Sequence, residues 1–276
     1  MHIRDEGNRA GPPLVLPQGA YASVHVWEPW VDELGDEFRL ISFDLLGFGQ
    51  TGAVPGGYYS RANMSPTLDP IMRLMKLERA TIDGHSMGGS VALQYALDHP
   101  QKIRGLILIG SSGMRRTPDE KVLSTFGLTN ISWLQPILRY VTPRFMIERG
   151  LRDSLADPDN FVTDEQVTRY WELIHMTGSR EAMVQRRSLG TSTPPLGGHL
   201  AEITLPTLLI WGGRARQPGT AGPWCADERG DFQQTLAGLS RPWAFSDERN
   251  TRQNRSRSAS VCGRFGRQLK RGARST

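Results

Sequence analysis

The pentapeptide GHSMG at residues 84–88 is the strongest candidate for chemistry in this 276-residue chain. A strand-like stretch at 80–82 precedes it, and a small-residue stretch of helical character at 87–97 follows it. A Ser between glycines fits a sharp strand-to-helix turn, because bulkier neighbours would clash with the adjacent backbone. Such a turn lifts the Ser86 hydroxyl clear of a sheet, and the helix start presents the Met87 N–H to an oxyanion. The motif predicts a nucleophilic Ser86; an inert tight turn is the alternative.

Short apolar stretches alternate with helical patterns on both sides of this turn. Strands that are apolar throughout and alternate with helices indicate a parallel sheet covered on both faces. The sequence therefore predicts an α/β fold. The predicted strands are 14–16, 38–43, 80–82, 105–109 and 207–211, and the helices between the first four of them are 27–34, 70–77 and 87–97.

The strand pattern stops between residues 111 and 195, where four helical stretches follow one another at 133–140, 143–150, 164–176 and 179–189. Thr163 or Asp164 is the expected N-cap of the third stretch. We predict a core at 1–113, a helical cap at 114–195 and the last core strand within 196–213. A cap in this place would lie over the C-terminal ends of the strands, where such sheets bind ligands.

The charge of the chain is unevenly distributed. Residues 214–276 contain 13 Lys and Arg against five Asp and Glu, whereas residues 1–213 contain 20 against 23. Both cysteines lie in the basic segment, so no disulfide or Cys metal site is expected in the body. The composition of 214–276 predicts a disordered tail. No apolar run is long enough to span a membrane, and the first seven residues lack the apolar core of a signal peptide, which together predict a cytoplasmic protein.

Five segments resemble the α/β-hydrolase fold family, and in particular its branch with a helical cap, which includes esterases, lipases and hydrolases of carbon–carbon bonds. These segments, which fall in the family's order, are LVLPQGAYASVHVWEPW, FDLLGFGQTG, GHSMGG, HPQKIRGLILIGSSG and LPTLLIWGG. The resemblance implies a mostly parallel sheet with helices on both faces, a small-molecule substrate, and neither cofactor nor metal. The family usually has sequence before residue 4, so we expect the N-terminus to be incomplete.

The resemblance also implies roles for single residues. Ser86 takes the position of the nucleophile, and the Met87 N–H that of one oxyanion donor. The second donor of the family follows a His-Gly pair; here the pair at 18–19 is Gln-Gly, after Pro17, so Ala20 takes the donor position. Asp44 matches a residue that holds a loop of the family together.

The acid and the base of the family's Ser–Asp–His triad are missing where they are expected. The Asp should follow the strand that ends at Trp211-Gly212, but Arg-Ala-Arg stands at 214–216, and no His follows His199. If residues 216–229 are back-translated with suitable synonymous codons, reading the DNA one base later gives D-N-L-V-P-L-A-H-G-V-R-M-N-E. The same offset turns 239–248 into F-P-G-L-G-H-F-P-M-S. We therefore predict that the reading frame slips near 214–216.

Three functions remain open from the sequence. The first is a serine hydrolase that cleaves apolar carboxylic esters through an acyl-enzyme, with little activity in the chain as it stands. The second is carbon–carbon bond hydrolysis or acyl transfer on the same fold. The third is a non-catalytic ligand-binding member whose basic tail contacts nucleic acid or an anionic membrane; the tail has no nucleic-acid-binding motif, so no nucleic-acid partner is expected.

Overall fold

A computed structural model describes residues 1–57, 59–113, 137, 140–154, 158–189 and 196–210. The predicted disordered tail at 214–276 and nearly all of the predicted helix at 133–140 lie outside these residues. The described residues contain the predicted sheet and three of the four predicted inserted helices.

Among the described residues, six strands form one sheet in the order β1-β3-β2-β4-β5-β6, in which β1 is antiparallel to β3 and every other neighbouring pair is parallel. The α/β fold predicted from the sequence is confirmed. The central strands are buried on both faces, which explains why they read as continuous apolar runs. The strands are β1 (Ile3–Gly7), β2 (Pro13–Pro17), β3 (Arg39–Phe43), β4 (Ala80–His85), β5 (Ile103–Ile109) and β6 (Thr207–Ile210).

Strand β1 was not predicted, because IRDEG has no apolar run. It lies at the edge of the sheet, where a half-exposed strand tolerates charged side chains. The guanidinium of Arg39 in β3 binds both carboxylate oxygens of Asp5, at 2.8 and 2.9 Å. This forked ion pair ties the edge strand to its only neighbour in the described sheet.

Helices cover both faces of the sheet. On one face α4 packs against β4 and β5, in a core that includes Val91, Leu93 and Ile82. On the other face α1 packs in a second core that contains Leu34, and Ile107 of β5 belongs to that core. The helices before β5 are α1 (Glu28–Leu34), α2 (Arg61–Met64), α3 (Leu68–Leu74) and α4 (Met87–Asp98). Helix α3 lies two to three residues before its predicted range, and Lys76 behind it has a left-handed φ of 57°.

Four described helices lie between β5 and β6: α5 (Arg144–Ser154), α6 (Pro158–Phe161), α7 (Asp164–His175) and α8 (Ser179–Leu189). Thr163 is the N-cap of α7, and its hydroxyl accepts from the Gln166 N–H while the Gln166 side chain accepts from the Thr163 N–H. Buried Ile174, Met183 and Val184 join α7 to α8 in a small core of their own. Within the described ranges, no helix is long and apolar enough to cross a membrane.

Candidate active site

Ser86 lies between the end of β4 and the start of α4, with φ 50° and ψ −112°. A positive φ is unfavourable for a residue with a side chain, so the surrounding structure must hold this turn. The Ser86 N–H donates to the carbonyl oxygen of Ile109 at 2.8 Å, and the Ser86 carbonyl oxygen accepts from Ser112 N–H at 2.9 Å and from Ser112 Oγ at 3.2 Å. The end of β5 and the residues after it therefore hold the strained turn in place.

The glycines of the motif are required by close backbone contacts. A Cβ on Gly84 would lie 2.5 Å from the Cα of Gly89 in the first turn of α4. A Cβ on Gly88 would lie 2.1 Å from the carbonyl oxygen of Pro17 at the end of β2. These contacts agree with the steric reason given for a Ser between glycines.

The segment after β2 passes beside the Ser86 side chain. A Cβ on Gly19 would lie 3.2 Å from Ser86 Cβ and 2.9 Å from His85 Nδ1, so this backbone leaves little room for a side chain beside Ser86. Ala20 follows directly, and its N–H donates to no acceptor among the residues that the structure describes. Met87 is the first residue of α4, at the positive end of the helix dipole. Both predicted oxyanion donors therefore belong to backbone next to Ser86.

The Gln18 that replaces the family's His is completely buried. Its Oε1 accepts from the Leu45 N–H at 3.3 Å, which links the segment after β2 to the segment after β3. Its Nε2 has no partner in the described part of the chain. Pro17 is still paired in β2, in register with Phe43 of β3, so the proline at this position does not disrupt the strand.

Asp44 organises the loops around the site. Its side chain is fully buried, and its Oδ1 accepts from the Val24 N–H at 2.8 Å. Its Oδ2 accepts from the Gln50 N–H at 2.8 Å and lies 2.8 Å from His2 Nδ1. A Cβ on Gly49 would lie 2.2 Å from the Asp44 carboxyl carbon, which requires glycine there. These contacts match the loop-holding role that the sequence suggests for Asp44.

No described histidine forms a hydrogen bond with Ser86. His85 points its ring toward the Gly19 backbone, and burial lowers its pKa. The other five histidines have partners elsewhere: His2 on Asp44, His25 on Glu28, His99 on Asp69, His175 on the Trp171 carbonyl and His199 on Glu202. The expected positions of the triad acid and base, after residue 211, lie outside the described residues. Within those residues, no group of three or more His, Cys, Asp or Glu is placed to hold a metal ion.

Asp83, which no sequence motif marks as functional, lies close to the candidate site. It lies in β4 opposite Ile107 of β5, three positions before Ser86, and it is fully buried. Neither carboxylate oxygen has a hydrogen-bond partner among the described residues. Burial raises the pKa of Asp83 well above its ordinary value. A buried position in a parallel strand is normally apolar, so an Asp at the end of this strand was the sequence signal that could have identified it.

A cavity with a volume of about 50 Å³ separates the core loops from the inserted helices. Tyr21 and Phe48 lie on the core side, and their rings meet edge to face with centroids 5.6 Å apart. The residues from the inserted helices are mainly apolar, and Met146, Ile174 and Met183 are among them. Tyr21, which lines this cavity, directly follows Ala20 in the chain. The residues that line the cavity depend on which side of each inserted helix faces it, and the sequence does not reveal this.

Comparisons with known proteins agree on the fold. Residues 12–214 match the family model described as alpha/beta hydrolase fold. A 2-hydroxymuconate semialdehyde hydrolase from a Pseudomonas species is 30% identical over 167 residues, which cover 59% of this chain and 54% of that protein. A 2-hydroxy-6-oxo-2,4-heptadienoate hydrolase from Pseudomonas putida is 30% identical over 56% of each chain. These two alignments thus span little more than half of the relatives' lengths.

A solved structure of a thermophilic esterase from Thermogutta terrifontis aligns with a TM-score of 0.71 and 22% identity, covering 97% of this chain and 93% of that one. The family match extends over well more than half of the sequence, from before the Gln-Gly pair to the end of the last described strand. It includes the strand-to-helix turn at Ser86 and the inserted helices. The chain belongs to the alpha/beta hydrolase fold family.

Proposed function

We propose that this protein is a serine hydrolase that cleaves carboxylic esters, with Ser86 as the nucleophile. The observation that carries the proposal is the strained backbone of Ser86 between β4 and α4, with the Gly19 backbone so near that a Cβ there would lie 3.2 Å from Ser86 Cβ. A residue keeps an unfavourable φ only where the surrounding fold enforces it, and such positions concentrate at functional sites. The turn also brings a hydroxyl, a helix N-terminus and a second backbone segment together.

The proposed reaction proceeds through an acyl-enzyme. Ser86 Oγ attacks the ester carbonyl carbon and gives its proton to a general base, and the carbonyl oxygen becomes an oxyanion that accepts from the Met87 and Ala20 N–H groups. The carbon–oxygen bond of the leaving alcohol then breaks, and the alkoxide takes the proton from the base. Water hydrolyses the acyl-enzyme by the same steps in reverse, which frees Ser86 and the carboxylic acid.

The general base and its orienting carboxylate remain the missing parts of this proposal. No His follows His199 in the sequence, and the family's chain order requires one after the last described strand. We propose that the gene encodes both residues in the frame one base later, as D-N-L-V-P and G-L-G-H. The chain as it stands would then retain only the weak catalysis that substrate binding and the oxyanion donors supply.

The apolar cavity beside Tyr21 supports an apolar substrate of small size. A second function, hydrolysis of a carbon–carbon bond, is favoured by the relatives named as a 2-hydroxymuconate semialdehyde hydrolase and a 2-hydroxy-6-oxo-2,4-heptadienoate hydrolase. The same turn would serve that reaction, with a ketone in place of the ester and a stabilised carbanion as the leaving group.

The proposal is tested by resequencing the DNA for residues 210–276 from independent clones and assaying the encoded protein with p-nitrophenyl acetate and butanoate. We expect an insertion or deletion near 214–216 and hydrolysis that falls by about 10⁴-fold or more in Ser86→Ala. Ser65→Ala, which removes a buried hydroxyl without a described partner outside the site, is the matched control and should retain activity. An unchanged frame together with equal rates in wild type and Ser86→Ala would reject the proposal, whereas faster turnover of an activated diketone would favour the carbon–carbon reaction.

A further inference from the structure

Gln18 directly follows β2 and lies two residues before the proposed oxyanion donor Ala20. We propose that Gln18 is a positioning residue, whose side chain holds the segment 18–20 to the segment after β3 and so fixes the Ala20 N–H beside Ser86. The family likeness does not supply this role, because Gln replaces the usual His here. The inference rests on the proposed function, since the Ala20 N–H has a use only if an oxyanion forms.

The Gln18 side chain is held in one orientation. It is fully buried, and its Oε1 accepts from the Leu45 N–H at 3.3 Å. A backbone N–H can only donate, so the amide must turn its oxygen toward Leu45 and its Nε2 away. That Nε2 has no partner among the described residues, which is unfavourable for a buried donor. The side chain thus leaves its own donor unpaired while it supplies the acceptor that the buried Leu45 N–H needs.

The hydrogen bond from Leu45 is the only one that joins residues 18–20 to another element in the described part of the chain. The other hydrogen bond of this segment, from the Ala22 N–H to the Gly19 carbonyl oxygen at 3.4 Å, lies within the same loop. Leu45 directly follows Asp44, whose buried carboxylate accepts from two backbone N–H groups of other segments. The side-chain hydrogen bond therefore connects the loop to a segment that is itself well anchored.

The position of this loop matters because it lies so close to the turn at Ser86. A Cβ on Gly19 would lie 3.2 Å from Ser86 Cβ, and a Cβ on Gly88 would lie 2.1 Å from the Pro17 carbonyl oxygen. An oxyanion donor must lie within about 2.7–3.1 Å of the oxyanion, and such groups need to be held to about 0.5 Å. Loss of the Gln18 acceptor should therefore weaken oxyanion stabilisation while the nucleophile stays in place.

The inference is tested in the full chain with Ser86→Cys, because a thiolate attacks an ester without a general base. The measured quantity is the rate of acetylation at residue 86 by p-nitrophenyl acetate, divided by the rate of alkylation there by iodoacetamide. Only acetylation forms an oxyanion, so a merely structural change in thiol exposure does not move this ratio. Adding Gln18→Met should lower the ratio by about 10-fold, since loss of a whole donor costs about 100-fold or more. Adding Gln18→Glu, which keeps an acceptor oxygen on a side chain of the same length, should retain most of it.

Gln94→Met is the matched control, and it should leave the ratio unchanged. Gln94 Oε1 also accepts a side-chain hydrogen bond, from Arg61 Nε at 3.2 Å, but the residue lies in α4 and not in the oxyanion segment. If Gln18→Met does not fold, judged by its thermal midpoint against Gln94→Met, Gln18→Asn decides. This shorter amide does not reach Leu45 and should also lower the ratio.

An unchanged ratio in Gln18→Met, or an equal fall in Gln94→Met, would overturn the inference. A ratio at residue 86 no higher than at the exposed Ser112→Cys would overturn it too. A ratio that depends on Gln18, with ester hydrolysis equally fast in wild type and Ser86→Ala, would reject only the proposed function. Ser86-dependent hydrolysis with a ratio that does not depend on Gln18 would reject only this inference.

Discussion

Replacing Asp83 should make the stability of the protein less sensitive to pH. The Asp83 carboxyl group is fully buried between strands, and neither of its oxygens has a hydrogen-bond partner among the described residues. Burial raises its pKa well above the ordinary value. His85, two residues further along the same strand, has its pKa lowered by burial and so provides no positive charge near neutral pH. Asp83 therefore favours its protonated form in the folded protein.

The sign and the size of the effect follow from proton binding. Unfolded Asp83 loses its proton near pH 3.9, whereas folded Asp83 keeps it to higher pH. Between the two pKa values the folded state holds the extra proton, so the free energy of unfolding falls as pH rises, by up to about 1.4 kcal/mol per pH unit. From pH 5 to pH 7 the loss is at most about 2.7 kcal/mol, which corresponds to roughly 5–11 °C in Tm for a domain of this size.

The assay compares the Tm of wild type with those of Asp83→Asn and Asp83→Val at pH 5, 6 and 7. The Tm of each variant relative to wild type should increase as pH rises, because neither variant has the ionisable group. Asp83→Val should also have a higher Tm than Asp83→Asn because it adds apolar burial. Asp32→Asn, a change at an exposed carboxylate of α1, is the control for general charge effects. If the Tm difference between wild type and each variant is the same at all three pH values, a raised pKa of Asp83 in the folded protein is refuted.

Two further predictions concern the backbone at the site and the edge of the sheet. Gly88→Ala should lower the free energy of unfolding by about 2–3 kcal/mol, because the new Cβ would lie 2.1 Å from the Pro17 carbonyl oxygen; an unchanged urea midpoint would show that the backbone contact is absent. Arg39→Met should lose less stability than wild type as the pH falls below about 5. The hydrogen bond to Arg39 lowers the pKa of Asp5 in the folded protein, and the stability that this lowered pKa provides disappears as the pH falls through that pKa. Acid melts of wild type and variant with equal slopes would contradict this second prediction.

The elements that depend on local patterns were predictable. GLILI in β5 is apolar because the strand lies inside a parallel sheet, and Ser179–Leu189 matches its predicted bounds. Strand β4 runs to His85, beyond the predicted end at residue 82, since pairing with β5 extends into the turn motif. Strand β1 escaped prediction because a charged edge strand is stabilised by a partner 36 residues away rather than by its own pattern.

The site was predictable where a motif dictates backbone geometry and unpredictable where side chains from distant elements meet. The turn at Ser86 follows from small residues at fixed spacing, because only they fit against β2 and α4. The cavity beside Tyr21 depends on the orientation of α5, α7 and α8, and a helical pattern does not say which neighbour each side contacts. Asp83 was missed for a different reason: its strand was predicted to end at residue 82, and the sequence does not show that both carboxylate oxygens lack a described partner.

The most direct test of Ser86 as a nucleophile beside oxyanion donors uses Ser86→Cys in the full chain, because a thiolate reacts without the missing base. Peptide mass mapping gives two rates at residue 86: acetylation by p-nitrophenyl acetate and alkylation by iodoacetamide. The measured quantity is the first rate divided by the second. The same ratio for Ser112→Cys, at a nearby exposed position, provides the reference. Since acetylation alone forms an oxyanion, we expect a ratio about 100-fold higher at residue 86 than at residue 112. Equal ratios at the two positions would contradict it.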